Sequence, residues 1–459
     1  MIAFDLAAQA TGATVLDRDA APREVRVVTD TRAIAPGDTF LALRGERFDG
    51  HNFTAEAVAK GAFALVVDNP SARVEGVTTL VVGDTLRAYM ALAHAARKQF
   101  HGFVIAITGS AGKTTTRTFT AQLLGQRYGK RVLASHANEN NEIGVSKLLL
   151  AASDDEHKAI VVEMGARHFG DIAKLVEIAE PHVGTLTNVG EAHLEIMGSR
   201  ERLEETKWAL FGGGAKAVLN AFDATARTRF MSLPRPPHWF AAVERPEAIP
   251  EIDGRLTVFV GRDRLIDLDG AHRIEHSVDV RVPGAHNRAN LAAAVAGALE
   301  LGVELDAIAH AIPTLQLPAG RYESHEVFGK FRVIYDAYNA NASGTIAALD
   351  AFAEEAAQRR IAVLASMAEL GDEASELHER VGAHAAKTNV DILLVGGEYA
   401  SELMRGAERA GFASERIVHF ATNADAARWL REHADSGDVV LLKGSRRYRL
   451  EEVVQELMS

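Results

Sequence analysis

The chain of 459 residues contains no cysteine. This excludes disulfides, a thiolate nucleophile and any cysteine-based zinc site, and it fits a reducing compartment. Basic blocks are missing too. Lys and Arg total 50 against 62 Asp and Glu, a formal net charge of −12, so nucleic acid is not expected as a general partner. A substrate rich in phosphate would need cations gathered locally. No uninterrupted apolar run reaches the length that spans a bilayer. The start, M-I-A-F-D-L-A-A-Q-A, carries an Asp and no basic stretch, unlike a secretory signal. What remains is the composition of a soluble cytoplasmic protein, 47% apolar and 24% charged, long enough for two to four domains.

The most informative stretch is Ile105–Thr116, which contains I-T-G-S-A-G-K-T-T-T. The apolar run Phe103–Thr108 reads as a buried strand, and Phe119, Leu123 and Leu124 recur at helical spacing after it. Strand, glycine-rich loop and helix N-terminus together aim backbone N–H groups at one small volume, which suits a polyphosphate. Gly109 and Gly112 keep a Cβ away from the ligand, with Ser110 and Ala111 between them. Lys113 would reach the β- and γ-phosphates, the Thr114 hydroxyl would ligate Mg²⁺, and Thr115 follows on the helix. Ile107 stands where the usual motif has its first glycine. The alternative is a strand-to-helix turn that merely contains Gly and Lys.

Around this loop the chain reads as an α/β protein of three units: 1–83, 84–314 and 315–459. The first has short strands at Val25–Thr29, Thr39–Leu43, Ala64–Val67 and Thr79–Val82. Its polar loops hold Asp30, Thr31, Arg32, Arg44, Phe48, Asp49, Gly50 and His51. The arginines could meet a diphosphate, although such charges are more often solvated loop residues. In the second unit Ala159–Glu163 is a strand ending in a carboxylate, where a Walker-B-like metal ligand belongs. Asn140 and Asn141 lie in a polar loop returning near the P-loop. His193 follows the strand His182–Asn188. Lys207, on a helix, reads as a surface cation or a partner of Glu204 and Glu205. Residues 221–282 read as irregular, with short strands around Leu256–Val260 and Val278–Val282. Asn287 and Asn290, one turn apart, could offer amides to a base, or Asn287 could cap its helix. The third unit alternates strand and helix through Asp336-Ala337-Tyr338-Asn339-Ala340-Asn341 to Lys443-Gly444-Ser445-Arg446. It lacks G-x-G-x-x-G, which argues against a dinucleotide there.

T-G-S-A-G-K-T-T-T, N-N-E-I-G, V-V-E-M-G-A, E-A-H-L-E, Lys207, H-N-R-A-N, Arg321, D-A-Y-N-A-N and K-G-S-R together resemble the Mur ligases, ATP-dependent amide-forming enzymes of bacterial peptidoglycan synthesis. The resemblance covers all three units in order. D-T-R and F-D-G-H resemble the two members that add the third residue and the terminal dipeptide. Y-N-A-N and M-A-E-L-G point to the second of these, and the D-N-P-R-type motif expected of the first is missing.

The resemblance implies a small N-terminal UDP-sugar domain, a central parallel-sheet ATPase domain and a Rossmann-like C-terminal domain that binds ATP and incoming D-Ala-D-Ala. It implies ATP and two Mg²⁺ sites as cofactors, with UDP-MurNAc-tripeptide as the other substrate, in a cytoplasmic monomer. Gly109 to Thr115, Asn287, Arg321 and Asp336 would contact ATP. Thr114, Glu163, His193 and a carbamylated Lys207 would hold metal, making Lys113, His193 and Lys207 the catalytic group. Asp30, Thr31, Arg32, Arg44, Phe48–His51, Asn140, Asn141, Tyr338, Asn339 and Asn341 would meet substrates. Ser146, Arg167 and Tyr335 depart from the common pattern without removing an essential charge. Alternatives are the third-residue ligase, a folylpolyglutamate synthase, whose family lacks the first domain, and a P-loop ATPase without ligation.

Overall fold

The computed structural model describes residues 1–45, 48–190 and 197–459. It contains three principal sheets, each formed within one stretch of chain. In the first, Thr14–Leu16, Thr78–Val81, Ala64–Val67, Thr39–Leu41 and Val27–Val28 lie in that order, parallel except for the first pair. The single strand expected at Val25–Thr29 is divided. Glu24–Val25 pairs with Ile2–Ala3, and Val27–Val28 pairs with Thr39–Leu41. The chain changes ladder at Arg26, whose guanidinium is held by Asp38 at 2.6 Å.

The central sheet has nine strands. From one edge they run His272–Ser277, Arg264–Asp269, Arg255–Val260, His238–Val243, Lys216–Asn220, Val183–Leu186, Phe103–Thr108, Ala159–Glu163 and Val132–Ala134. The last seven are mutually parallel and the first two are added antiparallel. The strand Phe103–Thr108 is apolar at every central position because both faces are covered. Val104 and Ala106 pack with Val145, Leu149 and Ile172 on one side. Ile105 and Ile107 pack with Phe119, Leu123, Leu291 and Val295 on the other.

Residues 221–282 are more regular than expected. His238–Val243 is a full inner strand, while Arg264–Asp269 and His272–Ser277 form a hairpin turning at Gly270, where φ is +58°. Val278–Val282 is not a strand. It returns along the sheet edge, with Val278 and Val280 donating to the carbonyls of Asp263 and Arg262. The short strand R-L-I-D-L-D and the Asp269-Gly270 turn are the signals that mark this hairpin.

The C-terminal sheet runs Glu323–Val327, Phe331–Tyr335, Val439–Lys443, Arg360–Ala365, Ile392–Gly396 and Ile417–His419, with only the first strand antiparallel. That first strand and the final helix Glu451–Met458 were not anticipated. The helix Thr85–Gln99 serves two cores, since Ala88, Tyr89 and Leu92 pack on the first sheet and Ala93 on the central one. Gln122 and Gln316 exchange two side-chain-to-backbone bonds at 2.8 and 2.9 Å, and Arg262 meets Glu354 at 2.6 Å, so the central and C-terminal units are in contact. No helix among the described residues is long and apolar enough to cross a membrane.

A buried ionic network locks the amino ends of the central strands, away from the P-loop. His238 is fully buried between Glu300 and Thr257, 2.8 Å from each; Lys216 meets Glu300 at 2.5 Å and Arg255 meets Asp267 at 2.8 Å. Burial alone would raise the Glu300 pKa, but the bonds from His238 and Lys216 outweigh it and hold the carboxyl at about 2. A depressed carboxylate stabilises the fold above its unfolded pKa and loses that contribution as pH falls through the folded value. Glu300→Gln should therefore cost roughly 3 kcal/mol at pH 7. In urea unfolding, the gap to the native chain should shrink as pH falls from about 4.5 toward about 2.

Candidate active site

The P-loop joins the strand Phe103–Thr108 to the helix Lys113–Tyr128, and the strands on either side hold it in shape. Asn188, past the end of Val183–Leu186, grips both sides of Ala111. Its Oδ1 accepts from the Ala111 N–H at 3.0 Å and its Nδ2 donates to the Ala111 carbonyl at 3.2 Å. Its own carbonyl takes the Ser110 N–H at 3.0 Å. Thr187 donates to the Ala111 carbonyl at 2.6 Å, and the Gly190 N–H donates to Ser110 Oγ at 2.9 Å. The N–H groups of Ser110 and Ala111 are thus committed to protein, which leaves the Gly112–Thr115 end of the loop as the open donor set.

The glycines are required by this packing. A Cβ on Gly109 would fall 1.9 Å from Thr187 Oγ1, and one on Gly112 would fall 2.2 Å from Asn290 Oδ1. The expectation that they clear space for a ligand is therefore incomplete, because protein atoms already stand there. Asn287 donates to the Pro283 carbonyl at 3.0 Å rather than capping its helix. Asn290 is the residue that touches the P-loop.

Two lysines converge on the Gly109 carbonyl, Lys113 at 2.8 Å and Lys207 at 3.2 Å. Lys207 is 1% exposed, which overturns the reading of it as a surface cation. Its helix, Arg200–Trp208, is capped by Ser199 and turns Leu203, Thr206 and Lys207 inward. Burial, then the neighbouring Lys113 charge, brings the Lys207 pKa down to about 7. Burial lowers Lys113 as well, opposed by Glu163 and reinforced by Arg321.

Glu163 ends its strand facing this pair and is 2% exposed. Asn140 donates to its Oε1 at 2.9 Å, while Oε2 is buried with no partner. An unpaired buried carboxylate oxygen near Lys113 fits a divalent cation. Sequence reasoning missed Arg117, which is buried one turn along the helix and bonded to the carbonyls of Ser135 and Ala137. Its place one turn after Lys113 was the available signal.

From the C-terminal unit, the Arg321 guanidinium lies 4.7 Å from the Tyr338 ring centroid. Asp336 pairs with buried Lys443 at 2.9 Å and accepts from the Tyr322 N–H at 3.2 Å. Asn339 Oδ1 takes the Ala340 N–H. Asn141 and Asn341 spend their side-chain oxygens capping the helices that begin at Glu142 and Ala342.

In the first unit Asp30 binds Arg32, and Thr31 donates to Glu56. Arg44 bridges Asp68 at 2.7 Å and Asp49 at 3.7 Å, while Asp49 also holds His51 at 2.6 Å. Gly50 packs on the Leu43 backbone and Phe48 is exposed. His193 lies outside the described residues.

Known families account for most of the chain. The Mur ligase family catalytic domain matches residues 26–100, the Mur ligase middle domain 107–298 and the Mur ligase glutamate ligase domain 320–446. A Synechocystis protein named UDP-N-acetylmuramoyl-tripeptide–D-alanyl-D-alanine ligase is 36% identical over 441 residues, covering 94% of this chain and 92% of its own. The chain belongs to the Mur ligase family. Among solved structures it is similar to MurF from Acinetobacter baumannii, with a TM-score of 0.86, 29% identity, and coverage of 100% of this chain and 98% of that one. It is also similar to the Thermotoga maritima MurF ligase in complex with ADP, with a TM-score of 0.79, 28% identity, and coverage of 94% and 97%.

For a Mur ligase built this way, Asn188 sets the shape of the nucleotide loop. Asn188→Ala should weaken ADP binding by about tenfold, the worth of one or two such bonds. Asn188→Asp should weaken it further, because a second oxygen would face the Ala111 carbonyl. Titration calorimetry on both variants checks this, and unchanged affinity in Asn188→Ala would remove the role.

Proposed function

We propose that this Mur ligase joins D-alanyl-D-alanine to UDP-MurNAc-tripeptide, converting ATP to ADP and phosphate. The observation that carries the mechanism is the convergence of Lys113 and Lys207 on Gly109 with the unpaired oxygen of Glu163 nearby. The substrates are those in the name of the Synechocystis relative, which spans nearly the whole chain.

The carboxylate at the end of the peptide stem attacks the γ-phosphorus, and the bond to the ADP oxygen breaks. The acyl phosphate that forms has the leaving group that a free carboxylate lacks. The dipeptide amine, having lost its ammonium proton, then attacks the acyl carbon, and the tetrahedral intermediate expels phosphate. The protein's part is positioning and charge neutralisation. Lys113 and the N–H groups at the start of its helix hold the phosphates, and Arg321 approaches from the C-terminal side.

Magnesium, when bound, screens the phosphate oxygens and polarises the transferred group. Thr114 and Glu163 would hold one ion; His193 and a carbamylated Lys207 would hold a second. Lys207 is suited to that modification because its amine is largely neutral above pH of about 7. The neutral Nζ would attack carbon dioxide and lose a proton, which would leave a carboxylate-like anion beside Lys113.

We assign residues 1–83 to the UDP-sugar, 84–314 to ATP, and 315–459 to ATP and the dipeptide, with hinges near 84 and 315, in a cytoplasmic monomer. We assign Arg44, which pairs with Asp49 and Asp68, to the diphosphate.

The deciding experiment is phosphate release from ATP with UDP-MurNAc-tripeptide, with and without D-Ala-D-Ala. Release that requires the dipeptide and yields the pentapeptide by mass is the expected outcome. Release driven by a diamino acid and the dipeptide precursor would mean the third-residue ligase, and release independent of any acceptor would mean an ATPase. In the same assay Lys207→Ala should lose at least about 100-fold in rate, in line with removal of a positioned charge, and should recover part of it with a short carboxylic acid. Full activity without rescue would remove Lys207 from the site.

A further inference from the structure

Three neighbouring parallel strands of the C-terminal sheet, Phe331–Tyr335, Val439–Lys443 and Arg360–Ala365, release their following loops at one edge. Ser445 ties these loops together. Its N–H donates to the Ser366 carbonyl at 3.3 Å, and its Oγ accepts from the Ala368 N–H at 2.8 Å and lies 3.5 Å from the Ala340 carbonyl. Lys443 reaches the Asn339 carbonyl at 3.0 Å. A crevice outside the carboxyl ends of parallel strands is where open α/β sheets take ligands. This one faces the P-loop, because a Cβ on Gly190 would stand 3.5 Å from both Ser343 Oγ and Ser110 Cβ.

One cation at this edge is only loosely paired. Arg447 is held by Glu398 at 2.6 Å and Arg449 by Glu452 at 2.7 Å, whereas Arg446 is 4.0 Å from Glu451 with its side chain 64% exposed. The Arg446 guanidinium lies 5.6 Å from the centroid of Tyr338, the ring that also carries Arg321 at 4.7 Å. The two guanidinia are therefore no more than about 10 Å apart, and an extended dipeptide spans about 7 Å. Arg321 is near enough for its charge to help lower the Lys113 pKa. Arg446, on the same ring, offers a planar donor fork suited to a carboxylate.

We propose that Arg446 binds the terminal carboxylate of the incoming dipeptide, so that the Tyr338 edge spans the acceptor and its amine points toward the P-loop. This rests on the ligase reading above. Arg446 then sets acceptor specificity by requiring a free carboxylate one dipeptide length from the reacting amine.

The test compares D-Ala-D-Ala with its C-terminal amide as acceptor, in the native enzyme and in Arg446→Gln, Arg446→Lys and Arg447→Gln. The expected result is an Arg446→Gln KM for D-Ala-D-Ala raised about 10- to 100-fold, the worth of a charged bidentate contact. KM for ATP and for the UDP-linked substrate should be unchanged, and the native preference for the acid over the amide should be abolished. Arg446→Lys should recover part of the preference, and Arg447→Gln should retain it. An Arg446→Gln enzyme that keeps the native KM, or still prefers the acid over the amide, overturns the assignment. A folded native enzyme that ligates neither acceptor overturns the ligase reading itself, and the subsite with it.

Discussion

The site depends on one shared acceptor. Lys113 and Lys207 both donate to the Gly109 carbonyl, so their ammonium groups stand at most about 6 Å apart, where two unit charges repel by roughly 3 kcal/mol at an effective dielectric of 20. Burial adds to that cost at Lys207. The nearby counter-charge is Glu163, and one of its oxygens is taken by Asn140. The pocket is therefore electrostatically incomplete in two senses. It holds more positive charge than its own carboxylate balances, and that carboxylate has an oxygen with nothing to bind. A polyphosphate carrying a divalent cation would complete both at once, and the buried Lys207 amine, its pKa brought down to about 7, is the group whose charge is most easily removed.

Such an arrangement needs a rigid frame, because a displacement of an ångström would separate the lysines from their acceptor. The frame comes from the parallel sheet. The strand before the P-loop lies between Val183–Leu186 and Ala159–Glu163. Thr187 and Asn188, from the first neighbour, clamp the loop's polypeptide, and Glu163, from the second, provides the carboxylate. On the outer side Asn290 fills the place that a Gly112 side chain would need. The glycines thus serve close packing between protein elements as much as access for a ligand.

Much of this was legible in the residue order. Strand, glycine loop and helix are signalled by an apolar run, two glycines and a 3.6-residue period, and all three occur where expected. The parallel class followed from strands such as A-I-V-V-E, apolar on both faces. Two kinds of feature were not legible. The outer strands Arg264–Asp269 and His272–Ser277 carry several charged or polar residues each and so resemble loops in composition, although the Asp269-Gly270 turn marks them. Burial of a charged side chain is set by partners far away in sequence. Lys207 sits among glutamates in a polar helix, and only the strand order brings it 3.2 Å from Gly109. Asn141 and Asn341 show the converse, since residues matched to a substrate motif spend their side-chain oxygens on helix caps.

The overall charge bears on how the substrates reach this rim. With a net charge of −12 the chain as a whole repels a sugar nucleotide, ATP and a dipeptide carboxylate alike. Lys113, Lys207, Arg117, Arg321 and Arg446 gather near this rim, with Lys443 there paired to Asp336, while arginines such as Arg405, Arg409 and Arg359 are held by carboxylates elsewhere. A locally positive cleft in an acidic body focuses anions into one place and keeps them off the rest of the surface. Because the cleft is shared between two units, its field is strongest when they are together. Each anion bound there would offset repulsion between the cations of one unit and those of the other.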